Sequence, residues 1–87
     1  MKTITAEFEI EFKDGKRTIE MQLKEDYEID DCEVDKVVML NLCNGETYTG
    51  VFKGIDSQDI MIESLSSQTT IGLGASFIND YFEEIKN

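Results

Sequence analysis

A chain of 87 residues with 40% apolar content can fill one core but not two, so a single domain over residues 1–87, folding without disulfides or metals, is expected. Nineteen acidic residues against eight basic ones give a formal net charge of −11, which repels phosphate backbones at long range and attracts basic surfaces. Histidine is absent, removing the commonest general base and metal ligand together, and no apolar run reaches the roughly 18 residues of a membrane span.

Residues 3–24 read as a β-hairpin. Ile4, Ala6, Phe8, Ile10 and Phe12 alternate with Thr3, Thr5, Glu7, Glu9 and Glu11, the pattern of a half-buried strand. Asp14-Gly15 fits the two central positions of a type I′ turn, after which Ile19, Met21 and Leu23 alternate again. Such a turn sets Lys13 opposite Lys16, Ile10 opposite Ile19, Phe8 opposite Met21 and Ala6 opposite Leu23. It also sets Glu9 opposite Glu20. Glu7, Glu9, Glu11 and Glu20 then form an acidic outer face, either simply solvated or available to a basic partner. Lys13, Lys16 and Arg17 make a basic tip too small to track phosphates.

Residues 25–36 form an acidic connector anchored by Tyr27, Ile29 and Val34. Asp31, Glu33 and Asp35 alternate as the first ligands of a calcium loop do. Lys36 and Leu42 nevertheless stand where such a loop needs its glycine and closing glutamate, so no metal site is assigned. Cys32 and Cys43, the only cysteines, have the spacing of neither a zinc knuckle nor a redox pair, and are expected as free thiols of a cytoplasmic protein.

Residues 37–85 read as a run of short strands. Val38, Leu40 and Leu42 alternate, as do Tyr48, Gly50 and Phe52. A three-residue loop, Cys43-Asn44-Gly45 with Gly45 left-handed, sets Leu40 beside Tyr48 and Val38 beside Gly50, matching the two stripes better than a two-residue turn does. Gly50 and Gly54 permit a strong bend in the second strand. Asp56 to Asp59 is a turn, Ile60 to Leu65 a strand, Ser66-Ser67-Gln68 a polar loop, and Thr69 to Leu73 another strand. One tight helical turn fits between Gly74 and Asp80, with Phe77 and Ile78 as apolar plugs, before a last strand from Tyr81 to Ile85.

Over roughly residues 36–85 this pattern resembles the Sm-like (LSm) family of small SH3-like β-barrels. The positions that carry the resemblance are Val38, Leu40, Leu42, the turn Gly45, Gly50, Phe52 and Asp56. It implies an all-β fold, a small, strongly bent and partly open barrel to which the N-terminal hairpin is added. It would also imply RNA binding, but Asp59 and Ile60 stand where the family usually has a hydrophobic residue and an asparagine that hold a uracil. Leu73-Gly74 stands where it usually has an arginine-glycine pair.

Catalysis lacks its parts. No histidine can activate Ser57, Ser64, Ser66, Ser67 or Ser76, no basic neighbour lowers the Cys43 thiol, and Gly72 and Gly74 form no phosphate-cradling fingerprint. A non-enzymatic protein without cofactor or small-molecule substrate is expected. The leading reading is an interaction module that binds a protein partner or itself. RNA binding through a rim of Tyr48, Lys53 and Tyr81 is the alternative, and an acidic mimic of nucleic acid a further one.

Overall fold

A computed structural model describes residues 4–25, 33–65, 67 and 69–85. Seven strands follow in chain order: β1 (Thr5–Phe12), β2 (Gly15–Lys24), β3 (Val37–Leu42), β4 (Thr47–Asp56), β5 (Asp59–Ser64), β6 (Thr70–Gly74) and β7 (Ile78–Glu84). A single 3₁₀ turn, Ala75–Phe77, joins β6 to β7. All seven strands belong to one antiparallel sheet in the order β1-β2-β7-β3-β4-β5-β6. The sheet is not closed, and β1 and β6 are its edges.

Two apolar clusters lie on opposite faces of this sheet. Val38, Leu40, Phe52, Ile60, Ile62, Ile78 and Tyr81 form the first, and Ile10, Met21, Val37 and Met39 form the second, with Phe8, Phe12, Ile19, Leu65 and Phe82 packed against it. Successive side chains of a strand point to opposite faces, so β3 gives Val38 and Leu40 to one cluster and Val37 and Met39 to the other. Adjacent Tyr81 and Phe82 of β7 divide in the same way. Phe52 and Tyr81 meet edge to face at 6.4 Å in the first cluster, and Phe8 and Phe82 at 5.1 Å in the second. Curvature shows where Leu42 of β3 and Gly72 to Gly74 of β6 line one groove, although three strand spacings, about 14 Å in a flat sheet, separate those strands.

Sequence explains where the sheet bends. Gly50 is buried in β4, and a Cβ there would collide with Ile62 Cγ2 and with the Glu63 carbonyl oxygen, so only glycine lets β4 and β5 approach this closely. Gly54 has φ of 110° beside a register shift between Phe52 and Gly54, a bulge that adds bend and twist. The loop between β3 and β4 agrees with the three-residue reading. Gly45 has φ of 93°, Leu40 lies opposite Tyr48, and Val38 lies opposite Gly50.

The first hairpin corrects the expected register. Phe12 pairs with Gly15, leaving Lys13 and Asp14 as the two turn residues, and Gly15 alone has positive φ, 137°. Ile10 therefore faces Arg17, Phe8 faces Ile19 and Ala6 faces Met21. A two-residue change of register preserves which face each side chain occupies, so the apolar stripe survives. The charge pairs change: Glu20 stands opposite Glu7, while Glu9 meets Thr18 and Glu11 meets Lys16. The guanidinium of Arg17 lies over the Phe12 ring at 3.8 Å, a cation–π contact beside the Lys13-Asp14 turn.

The hairpin joins the rest through β2 and β7, with Leu23 opposite Phe82 and Lys24 opposite Tyr81. At this junction the Glu83 carboxylate is buried, with Lys24 Nζ at 3.9 Å and Lys36 Nζ at 3.8 Å, and its second oxygen accepts the Glu33 N–H at 3.1 Å. Neighbouring Glu84 accepts the Val37 N–H at 2.8 Å. A buried carboxylate is tolerable only when so compensated. Asp35, with φ of 76°, donates its N–H to the Phe52 carbonyl at 2.8 Å and so ties the end of the connector to β4.

Three stability outcomes follow from this packing. Gly50→Ala should lower the free energy of unfolding by about 3 kcal/mol in urea, because backbone as well as side chain must move. In the Asp56–Asp59 turn, Ser57 and Gln58 have φ of 50° and 75°, so Gln58→Gly should raise stability by about 1 kcal/mol. Glu83→Gln should cost about 2 kcal/mol by leaving two half-shielded ammonium groups without their shared counter-charge, and a smaller loss in Lys24→Met than in Glu83→Gln is expected.

Candidate functional site

Among the described residues no group of three or more cysteine or acidic side chains gathers to hold a metal, and no helix is long and apolar enough to cross a membrane. Glu33 pairs with Lys36 at 3.7 Å and Asp35 with Lys53 at 2.8 Å, while Asp31 and Cys32 of the connector lie outside the described residues. Three surfaces bear on function: the expected acidic face, the expected aromatic and basic rim, and a groove that the sequence reading did not anticipate.

Glu7, Glu9, Glu11 and Glu20 share one exposed face of the β1–β2 hairpin. Glu9 reaches Lys16 across the ladder at 3.8 Å, and Glu7 stands directly opposite Glu20. Screened exposed charges of this kind contribute little to stability, so the face is free to meet a partner without loss to the fold.

The rim of Tyr48, Lys53 and Tyr81 does not assemble. Tyr81 is 1% exposed at the centre of the first apolar cluster, with Tyr48 half-buried against that cluster. Neither ring is presented as a platform on which a base could stack. Lys53 is exposed, but its ammonium donates to Asp35 Oδ1 at 2.8 Å. That hydrogen bond and the charges of Asp35 and Glu63 outweigh partial desolvation, so Lys53 titrates above the ordinary lysine value.

The third surface is an open groove of about 790 Å³, lined by Leu42, Cys43 and Asn44 on one side and by Asp59, Gly72, Leu73, Gly74 and Phe77 on the other. Curvature of the sheet creates it, since β3 and β6 are separated by β4 and β5 in strand order. The Cys43 N–H donates to the Phe77 carbonyl at 2.9 Å and holds the β3–β4 loop to the 3₁₀ turn. Asp59 stands opposite Gly74 in the β5–β6 ladder and, among the described residues, is the only acidic or basic side chain in the lining. Cys43 is a free, exposed thiol, its sulfur 3.7 Å from the Ser76 carbonyl oxygen.

Phe77 departs from its expected role as a plug. Its ring is 64% exposed, whereas Ile78 is buried in the first cluster. Two adjacent residues entering a strand face opposite ways, so only one of them can point inward; that rule was the signal available in the sequence. The ring instead lies beside Gly74, with Cδ2 3.5 Å from the position a Cβ would take there.

Comparison with family models, with curated proteins and with solved structures returns no match to this chain.

The Asp35–Lys53 pair gives a pH outcome with a definite sign. Because folding raises the Lys53 pKa, the stabilisation is present at neutral pH and is lost as pH rises through the raised value. An NMR titration should show Lys53 losing its proton at higher pH in the native chain than in Asp35→Asn. Equal midpoints would place Lys53 outside the influence of Asp35.

Proposed function

We propose that the protein is a non-catalytic interaction module, in which residues 37–85 form a strongly bent, partly open Sm-like barrel and the N-terminal hairpin extends its sheet. The fold part rests on the consecutive pairing β7-β3-β4-β5-β6, on the bulge beside Gly54, and on the side-chain-free approach of β4 to β5 at Gly50. The observation that carries the functional part is the contrast between the two sheet edges. On β1 every second residue from Glu7 to Glu11 is a carboxylate, whereas β6, Thr70–Gly74, contains no charged residue. Unpaired strand edges are templates for pairing with another chain, and charge is the usual protection against it. An unguarded edge beside an open groove supports a surface used for binding protein.

RNA binding is weaker on the same observations. Tyr81 is buried, Lys53 is engaged by Asp35, and the net charge of −11 opposes approach of a phosphate backbone. The acidic face of Glu7, Glu9, Glu11 and Glu20 keeps a basic protein surface available as a second contact.

The test uses the full chain carrying a photo-crosslinking side chain at Thr70 on the β6 edge or at Glu9 on the acidic face. Capture of protein at one or both positions is the expected result. Capture of RNA alone, or retention of uridine-rich RNA at low salt, would overturn the reading. Light scattering at about 100 µM, far above the dissociation constant of a stable dimer, separates self-association from binding of a different protein.

A further inference from the structure

On the reading of an interaction module, we infer that the β6 edge takes an extended, arginine-bearing peptide, with one guanidinium held over Gly74 between the Asp59 carboxylate and the Phe77 ring. The inference starts from the two glycines of β6. Above Gly74, the point that a Cβ would occupy lies 3.5 Å from Phe77 Cδ2 and 3.8 Å from Asp59 Oδ1. These are ordinary van der Waals separations, so ring and carboxylate both flank the Gly74 backbone, and a ligand group resting on that backbone from the groove side meets the two together. Above Gly72 the corresponding point is already crowded, 3.2 Å from both Asp59 Cβ and Met61 Sδ and 3.4 Å from Asp59 Oδ2, so the Asp59 side chain reaches along the edge strand from Gly72 to Gly74.

An exposed aromatic ring and a carboxylate on either side of one glycine in an open groove form a receptor for a planar cation. Guanidinium stacks on an aromatic face and donates to carboxylate with its edge, which the compact ammonium of lysine does less well. Asp56, the cross-strand partner of Asp59, adds a second negative charge near that end of the groove. Leu42 and Leu73 supply apolar lining beside it. The backbone of β6 supplies the ladder. A strand added to a free edge gains main-chain hydrogen bonds, while pockets for its alternate side chains give specificity.

Charge decides between a foreign strand and a second copy. Two copies would each bring a net charge of −11 to the contact, and β6 offers no basic residue to meet Asp59. A cationic segment meets that carboxylate directly and is drawn in by the field of the whole chain.

Amide chemical-shift mapping on the full chain tests this with a short capped peptide alternating valine and arginine. Its controls are the same peptide with citrulline, which keeps the shape without the charge, and one with glutamate. Saturable shifts at Thr70 to Phe77 and at Asp59 are expected, with dissociation constants of about 10 to 500 µM and a clear weakening on adding salt. Citrulline for arginine, or Asp59→Asn, should each weaken binding about tenfold. Gly74→Ala adds a methyl group where the backbone is already extended, φ −68° and ψ 141°, so the fold should persist while binding weakens about threefold. Shifts confined to Glu7, Glu9, Glu11 and Glu20 would overturn this site and leave the interaction-module reading standing. The same follows from no saturation at about 1 mM, or from equal binding of arginine and citrulline peptides. Shifts at Thr70 to Phe77 that grow with protein concentration alone would make a second copy the occupant and overturn the inference.

Discussion

Burial of β3 on both faces is the constraint from which the architecture follows. All four residues from Val37 to Leu40 are buried, and each face of the strand faces a different cluster. Val38 and Leu40 need the curled half of the sheet to cover them, and Val37 and Met39 need the hairpin. Each such burial is worth roughly 2 kcal/mol, so neither cover could be withdrawn without a loss comparable to much of a small domain's stability. The hairpin is therefore part of the core, and the sheet changes its buried face as it passes from β1–β2 to β3–β6.

That change of face has to be managed where β2, β7 and β3 adjoin, and polar groups mark the place. Glu83 brings Lys24 of β2 and Lys36 of the connector to one carboxylate, while Glu84 receives the Val37 N–H at the start of β3. An apolar residue in place of Glu83 would leave the Glu33 N–H without that acceptor and two ammonium groups close together. This gives the junction one arrangement in which hairpin, connector and central strands all satisfy their charges. Exposed ion pairs such as Lys16–Glu9 lack this leverage, because water competes for both partners.

Much of this was legible in the sequence, for reasons that can be traced. The Cys43-Asn44-Gly45 loop was readable because two apolar stripes and one left-handed glycine fix the register jointly, and Gly45 has the positive φ that this requires. The first hairpin was less so. Asp14-Gly15 and Lys13-Asp14 turns keep the same side chains on the same faces, so the alternation of Phe8, Ile10, Ile19 and Met21 cannot distinguish them. Burial of Val37 and Met39 was legible but easily passed over: Val37 to Leu40 is an unbroken apolar run, the pattern of a strand covered on both faces, and following only the alternation of Val38, Leu40 and Leu42 hides it. The groove was least legible, since Leu42, Asp59 and Phe77 are brought together only by curvature.

That curvature ties the least conspicuous residues of the core to the binding surface. Gly50 lets β5 close on β4, and the bulge beside Gly54 turns the strand toward the Asp56–Asp59 turn, which places Asp59 opposite Gly74. From there the 3₁₀ turn carries the chain from the edge strand β6 to β7, with Ile78 buried and Phe77 left outside, beside Gly74. A side chain at position 50 would be expected to alter the groove before it altered the hairpin, because the strain enters through Ile62 and the Glu63 carbonyl, whose ladder partners on β6 are Ile71 and Thr70. The glycines of β4 and of β6 thus act in series: the former set the bend, and the latter let the Asp59 and Phe77 side chains lie close over the edge-strand backbone that the bend presents.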